Sequence, residues 1–180
     1  MTSTVSEHVI PANWDAMFLT TLITGISGMS VRVNEDGTRT IQVTDADFSK
    51  VLDAIEAYPT AYLPKAQEIA VARIVEIRRE IVKTLHFGGM TLPMDYTTEA
   101  RITGAVVYLQ LDPTVTEINW DRGEGDFVTL TREQMLGLGL AAGRLVQGVF
   151  NKAKDLTDRV RAATSSDDPV FTDIEGDWGV

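Results

Sequence analysis

At 180 residues with 44% apolar side chains, the chain is large and apolar enough to bury a real core, which excludes a disordered tail. Sixteen Lys and Arg against twenty-six Asp and Glu give a formal net charge of −10, a surface that repels phosphate and anionic lipid, so no nucleic-acid partner is expected. There is no cysteine, which rules out disulfides and thiolate metal sites.

The opening segment MTSTVSEHVIPANWD carries acids where a secretory leader carries bases. No run approaches the roughly 18–20 apolar residues of a membrane span, so no membrane insertion is expected and a soluble protein made in the cytoplasm follows. Residues 1–28 read as an apolar N-terminal arm. Within it Pro11, Asn13 and Asp15 open a short helix through Trp14, Met17, Phe18, Leu22 and Ile23 that ends in the Gly25–Gly28 region. So many apolar groups with so few charges need a surface to lie on, which nominates Trp14, Phe18, Leu22 and Ile23 as partner contacts.

Residues 29–63 read as a small ββα module. SVRV and TRTIQV alternate around Asn34-Glu35-Asp36-Gly37, a hairpin signal, and Thr44 with Asp45 and Asp47 opens a helix through Phe48, Val51, Leu52 and Ile55. That helix is expected to stop near Tyr58, because a residue preceding proline disfavours the helical region. YPTAYLP, Tyr58 to Pro64, then reads as a stiff boundary segment.

Residues 64–180 read as one helical domain. Its first helix, about 64–85, has opposite charges three and four apart and an apolar stripe through Ile69, Ala72, Val75 and Val82. Gly88-Gly89 makes a tight hairpin turn. Asp95 to Glu99 caps a helix over about 97–111 that Pro113 stops; Gly104 inside it implies close packing against another segment. A second hairpin brackets DRGEGD, and Thr131-Arg132-Glu133-Gln134 is a capping box opening a helix over about 132–163. Gly137, Gly139, Gly143 and Gly148 mark close contacts or a bend in its first half. The ending SSDDPVFTDIEGDWGV reads as a docked tail with Val170, Phe171, Ile174 and Trp178 as anchors, Trp178 also being a candidate partner contact.

No catalytic, cofactor or metal set emerges. The two histidines, His8 and His86, are far apart, and no nucleophile elbow occurs. Gly88-Gly89 lacks the glycine spacing and the lysine of a phosphate loop. Asp121, Glu124 and Asp126 share a loop without the ligand pattern of a calcium loop, and the acids from Asp167 to Asp177 have no nearby histidine.

One resemblance rests on the order of these segments. Arg78 and Arg79, Phe87-x-Gly89 followed by Asp95, and Ala100-Arg101-Ile102-Thr103-Gly104-Ala105 come first; Trp120, Val128-Thr129-Leu130-Thr131 with Gln134, Val146-Gln147, Phe150, Ala162-Ala163-Thr164, Ile174 and Trp178 follow. Over about residues 64–178 the chain resembles a bacteriophage tail-associated domain of unknown function found at the carboxyl end of tail-fibre and tail-related phage proteins. The resemblance implies no catalytic residue. It implies a virion setting, assembled in the host cytoplasm: a structural component of the fibre, baseplate or adsorption apparatus with other tail proteins as partners. The alternative is a tail-fibre assembly chaperone absent from the mature virion, and a third reading is a host-directed or enzymatic accessory with an acidic divalent-ion pocket. The expected fold is α+β and mostly helical: a three-helix core with two short hairpins, preceded by the ββα module and the arm. Helix faces larger than such hairpins cover imply a homo-oligomer, a trimer if fibre-like.

Overall fold

A computed structural model describes residues 5–23, 26, 29–44, 47–123 and 125–178. The fold is α+β and mostly helical, with small antiparallel sheets. Contacts divide the chain into one unit formed by residues 1–68 and 163–168, and a second formed by residues 69–162 and 169–180.

The first unit holds a three-stranded sheet in the order β1-β3-β2, made of β1 (Val5–Ile10), β2 (Ser30–Val33) and β3 (Arg39–Thr44). The β2–β3 turn is the one expected from Asn34 to Gly37: the Asn34 amide donates to the Thr38 carbonyl at 2.8 Å, and Gly37 takes φ +83°. β1 was not foreseen. It pairs antiparallel with β3 along its whole length, Val5 opposite Thr44 and Ile10 opposite Arg39, so residues 5–10 of the expected arm belong to a sheet.

Helix α1 (Ala16–Leu22) is capped by Asp15, whose carboxylate accepts the Phe18 amide at 3.0 Å. The expected helix end at Gly25–Gly28 lies largely outside the described residues. Helix α2 (Phe48–Ala61) corrects two expectations. Thr44 ends β3 instead of capping α2, and the helix continues through Pro59. Tyr58 explains the second: it is fully buried between the rings of Trp14 and Tyr62, and that packing outweighs a local backbone preference.

Helix α3 (Leu63–Ile81) is shorter than its charge pattern suggests, because Thr84 and Leu85 belong to a strand. In the second unit β4 (Thr84–Phe87) and β5 (Met90–Pro93) form a two-stranded hairpin, as do β6 (Glu117–Asp121) and β7 (Phe127–Thr131). Between them runs α4 (Tyr96–Leu111), its start capped by Asp95 accepting the Thr98 amide at 2.7 Å. The Asp95 carboxyl is held below the usual range by that amide and then by the Thr98 hydroxyl.

Helix α5 (Arg132–Ala162) spans about 46 Å. Its capping box is reciprocal: the Gln134 amide donates to Thr131 Oγ1 at 3.3 Å, and the Thr131 amide donates to Gln134 Oε1 at 2.9 Å. Arg132, at the head of α5, also closes the foot of α4. Its guanidinium donates to the carbonyls of Leu109, Asp112 and Val115 at 2.5, 3.2 and 3.1 Å, supplying donors to a helix end that lacks them.

The core of the second unit gathers Leu85 and Leu92 from the first hairpin, Trp120 and Leu130 from the second, Ile102 and Leu109 from α4, and Met135 and Leu138 from α5. The tail packs onto α5 through α6 (Val170–Asp173), with Val170, Ile174 and Trp178 buried. Two exposed ion pairs, Arg73 with Glu175 and Arg159 with Asp173, add little energy but fix direction.

Candidate functional site

The residues nominated for partner contact have found their contacts inside the chain. Trp14 stacks on Tyr58 with centroids 4.1 Å apart, and its indole N–H donates to Asp167 Oδ1 at 3.2 Å. Phe18 sets its ring edge-on to Tyr58 and Tyr62 at 5.9 and 5.1 Å. Ile23 is buried, Leu22 is half-buried against the same core, and Met17 alone of the large groups on α1 is well exposed, at 82%. Trp178 belongs to the second unit, where it is buried and donates to the Ile174 carbonyl at 3.1 Å.

Around Tyr58 the chemistry is structural. Its hydroxyl accepts the Asp15 amide at 2.6 Å, and burial pushes its pKa up to about 12. Lys65 bonds Asp15 at 2.9 Å and, with the Phe18 amide, holds that carboxyl below its usual range. The same ammonium lies 5.9 Å from the Phe18 ring and 5.7 Å from that of Tyr62.

The acidic stretches are engaged in the same way. Asp121 accepts the Gly123 amide at 2.8 Å, and Asp126 pairs with Arg122 at 2.6 Å; Glu124 lies outside the described residues. In the tail Asp167, Asp173 and Glu175 bond Trp14, Arg159 and Arg73 respectively. Among the described residues no three His, Asp or Glu side chains converge as a metal site would require. His86 pairs with Thr91 across the first hairpin at 3.0 Å. A small cleft beside the second hairpin holds Asp95, Arg101, Trp120 and Asp121. There the Arg101 guanidinium sits 4.7 Å over the Trp120 ring and donates to the Asp121 carbonyl, while the Trp120 indole N–H has no acceptor among the described residues.

Helix α4 of the second unit leaves an apolar stripe uncovered. From Ile102 to Leu111 helix α4 carries no charge, although only Ile102 and Leu109 of that stretch are fully buried. Its other side presents Ala100, Gly104, Val107, Tyr108 and Leu111 at helical spacing, all exposed, with Leu111 at 79%. A helix with apolar residues on two opposite sides normally has both sides covered. Gly104 belongs to this outward stripe: a Cβ built there would meet nothing within 4 Å, so the packing inferred for it is not found within the chain. Gly139 of α5 is the contrast, since a Cβ there would lie 2.5 Å from Val106 Cγ2 of α4, and the two helices meet closely at that point. Gly137 is close against the Phe87 ring, whereas Gly143 faces open space. Sequence reasoning missed the stripe because apolar positions on both sides of α4 look alike until one side is seen to be covered.

A family described as a domain of unknown function (DUF4376) matches residues 62–175. No curated protein and no solved structure matches the chain.

Proposed function

We propose a structural, non-catalytic role for this chain, which belongs to the DUF4376 family through the larger part of its length, as a component of a bacteriophage tail: fibre, baseplate or adsorption apparatus. The phage setting rests on the resemblance carried by the segment order from about residue 64 to residue 178. The mode of action, contact with other protein surfaces, rests on one observation, the uncharged outward stripe of α4. Exposed aromatic and aliphatic groups aligned on a rigid helix are what a lasting interface uses, and a second copy of the chain offers the same stripe in return.

Peptides of the chain are expected in stoichiometric amounts when purified particles of the encoding phage are analysed by mass spectrometry. Their absence from finished particles would favour the assembly chaperone and overturn the structural role. For the stripe itself, the double substitution Tyr108→Ser with Leu111→Ser is expected to shift the protein toward monomer in sedimentation velocity while changing unfolding free energy by no more than about 0.5 kcal/mol, as for other exposed sites. A monomeric parent chain would remove the copy-to-copy contact from the proposal.

A further inference from the structure

A groove of about 890 Å³ lies in the second unit along the outer side of β4. It is lined by Thr84, Leu85, His86 and Phe87, and by no residue of β5. Hairpin phase decides what β4 offers to that groove. Phe87 faces Met90 across Gly88 and Gly89, both at positive φ, and the Met94 amide donates to the Lys83 carbonyl at 2.7 Å. Alternation in an antiparallel pair then turns the backbone groups of Lys83, Leu85 and Phe87 toward β5 and those of Thr84 and His86 away from it. Among the described residues the sheet has only these two strands, so the Thr84 and His86 peptide groups stand along an open edge.

Across the groove is α5, contributing Leu140, Ala141, Arg144 and Leu145, with Gly137 and Gly148 keeping the floor low. Leu140 is 55% exposed. An open edge running over an apolar helix face has the form of a vacant third-strand position, and four residues of β4 set its length at about 13 Å. Arg144 gives the position a sign. It is exposed and has neither an ion pair nor a hydrogen bond among the described residues, in a chain of net charge −10. A second copy docked groove to groove would bring its own Arg144, and not a carboxylate, to this position.

We infer that the β4 edge and the α5 face form a docking site for an extended segment of a different protein, which joins the sheet as a third strand with apolar residues toward Leu140 and Leu145 and a carboxylate toward Arg144. Main-chain bonds to Thr84 and His86 supply affinity, and the alternating side chains supply selectivity. The inference rests on the proposal that the chain works through protein contacts, yet it is tested on the purified chain, so failure here leaves the particle analysis standing and the converse also holds.

The probe is a fluorescein-labelled peptide of alternating valine and threonine with one central glutamate; its twin carries lysine at that place. The glutamate peptide is expected to bind saturably, at least about tenfold tighter than the lysine twin, and to slow amide hydrogen exchange at Thr84 and His86. Arg144→Glu should invert the preference, and Leu140→Lys should abolish binding of both; both positions are exposed, and unchanged circular dichroism confirms the fold of each variant. Absence of protection at Thr84 and His86, or equal binding of the twins, overturns the inference. So does finding those two amides already protected in a peptide-free dimer that Leu140→Lys dissociates, because the occupant would then be a second copy.

Discussion

The aromatic cluster of the first unit and the outward stripe of α4 use the same kinds of side chain to opposite ends. Trp14, Phe18, Tyr58 and Tyr62 each touch another ring, and their polar tips at Trp14 and Tyr58 find partners at Asp167 and Asp15. Tyr108, Leu111 and Val107 stand exposed on a helix whose other side is already packed. A cluster that satisfies its own rings and hydrogen bonds is a core. A stripe that satisfies none of them is a surface awaiting cover.

That contrast fails if both sets respond alike to truncation. The largest effect is expected at Tyr58→Ala, which should cost about 3–5 kcal/mol in chemical denaturation, because a fully buried ring with three aromatic neighbours leaves a cavity. Tyr108→Ala should change stability by no more than about 0.5 kcal/mol, and a comparable loss at both sites would erase the distinction.

Alkaline titration sharpens it next. Tyr58 keeps its proton to a pKa of about 12 in the folded chain, against 10.0 for an ordinary tyrosine. Between those values the folded state binds more protons than the unfolded one, so stability is complete below pH 10 and falls by on the order of 2 kcal/mol as pH rises to 12. Tyr58→Phe should flatten that decline, and an unchanged slope would mean that the hydroxyl is not sealed from water.

The glycines give the most discriminating pair. Gly139→Ala must displace Val106 and should cost about 1–3 kcal/mol. Gly104→Ala, with open space around its Cβ, should stabilise the isolated chain by about 1 kcal/mol through helix propensity. Thermal unfolding of the two variants should move in opposite directions.

Local chemistry was legible wherever a side chain acts on its own neighbourhood. The Asp95 cap, the Thr131–Gln134 box and the turns at Asn34–Gly37 and Gly88-Gly89 all follow from residue type and spacing, and the long helices follow from periodicity. What escaped depends on distant partners. VSEHVI reads as the first part of an arm until β3 lies beside it. Tyr58-Pro59 obeys its surroundings and not the dipeptide rule. Arg132 looks like an ordinary first-turn cation, and only the fold brings the last carbonyls of α4 to it. The burial of Trp14, Ile23 and Trp178 escaped for the same reason: hydrophobicity marks residues that need cover, while the tertiary structure decides which of them already have it.

The bond between Trp14 and Asp167 spans 153 positions of sequence. In the same unit the Ser166 amide donates to the Pro59 carbonyl at 2.9 Å, so a segment made long after Trp14 completes the core to which Trp14 belongs. At ordinary translation rates Asp167 leaves the ribosome roughly 10–30 s after Trp14, an interval in which the Trp14 indole lacks its acceptor and the nascent first unit lacks its closing segment. Nascent chains held on the ribosome before residue 163 should therefore show a first unit more open to protease than chains that already carry residues 163–168, and this late segment sets the moment at which the unit can close.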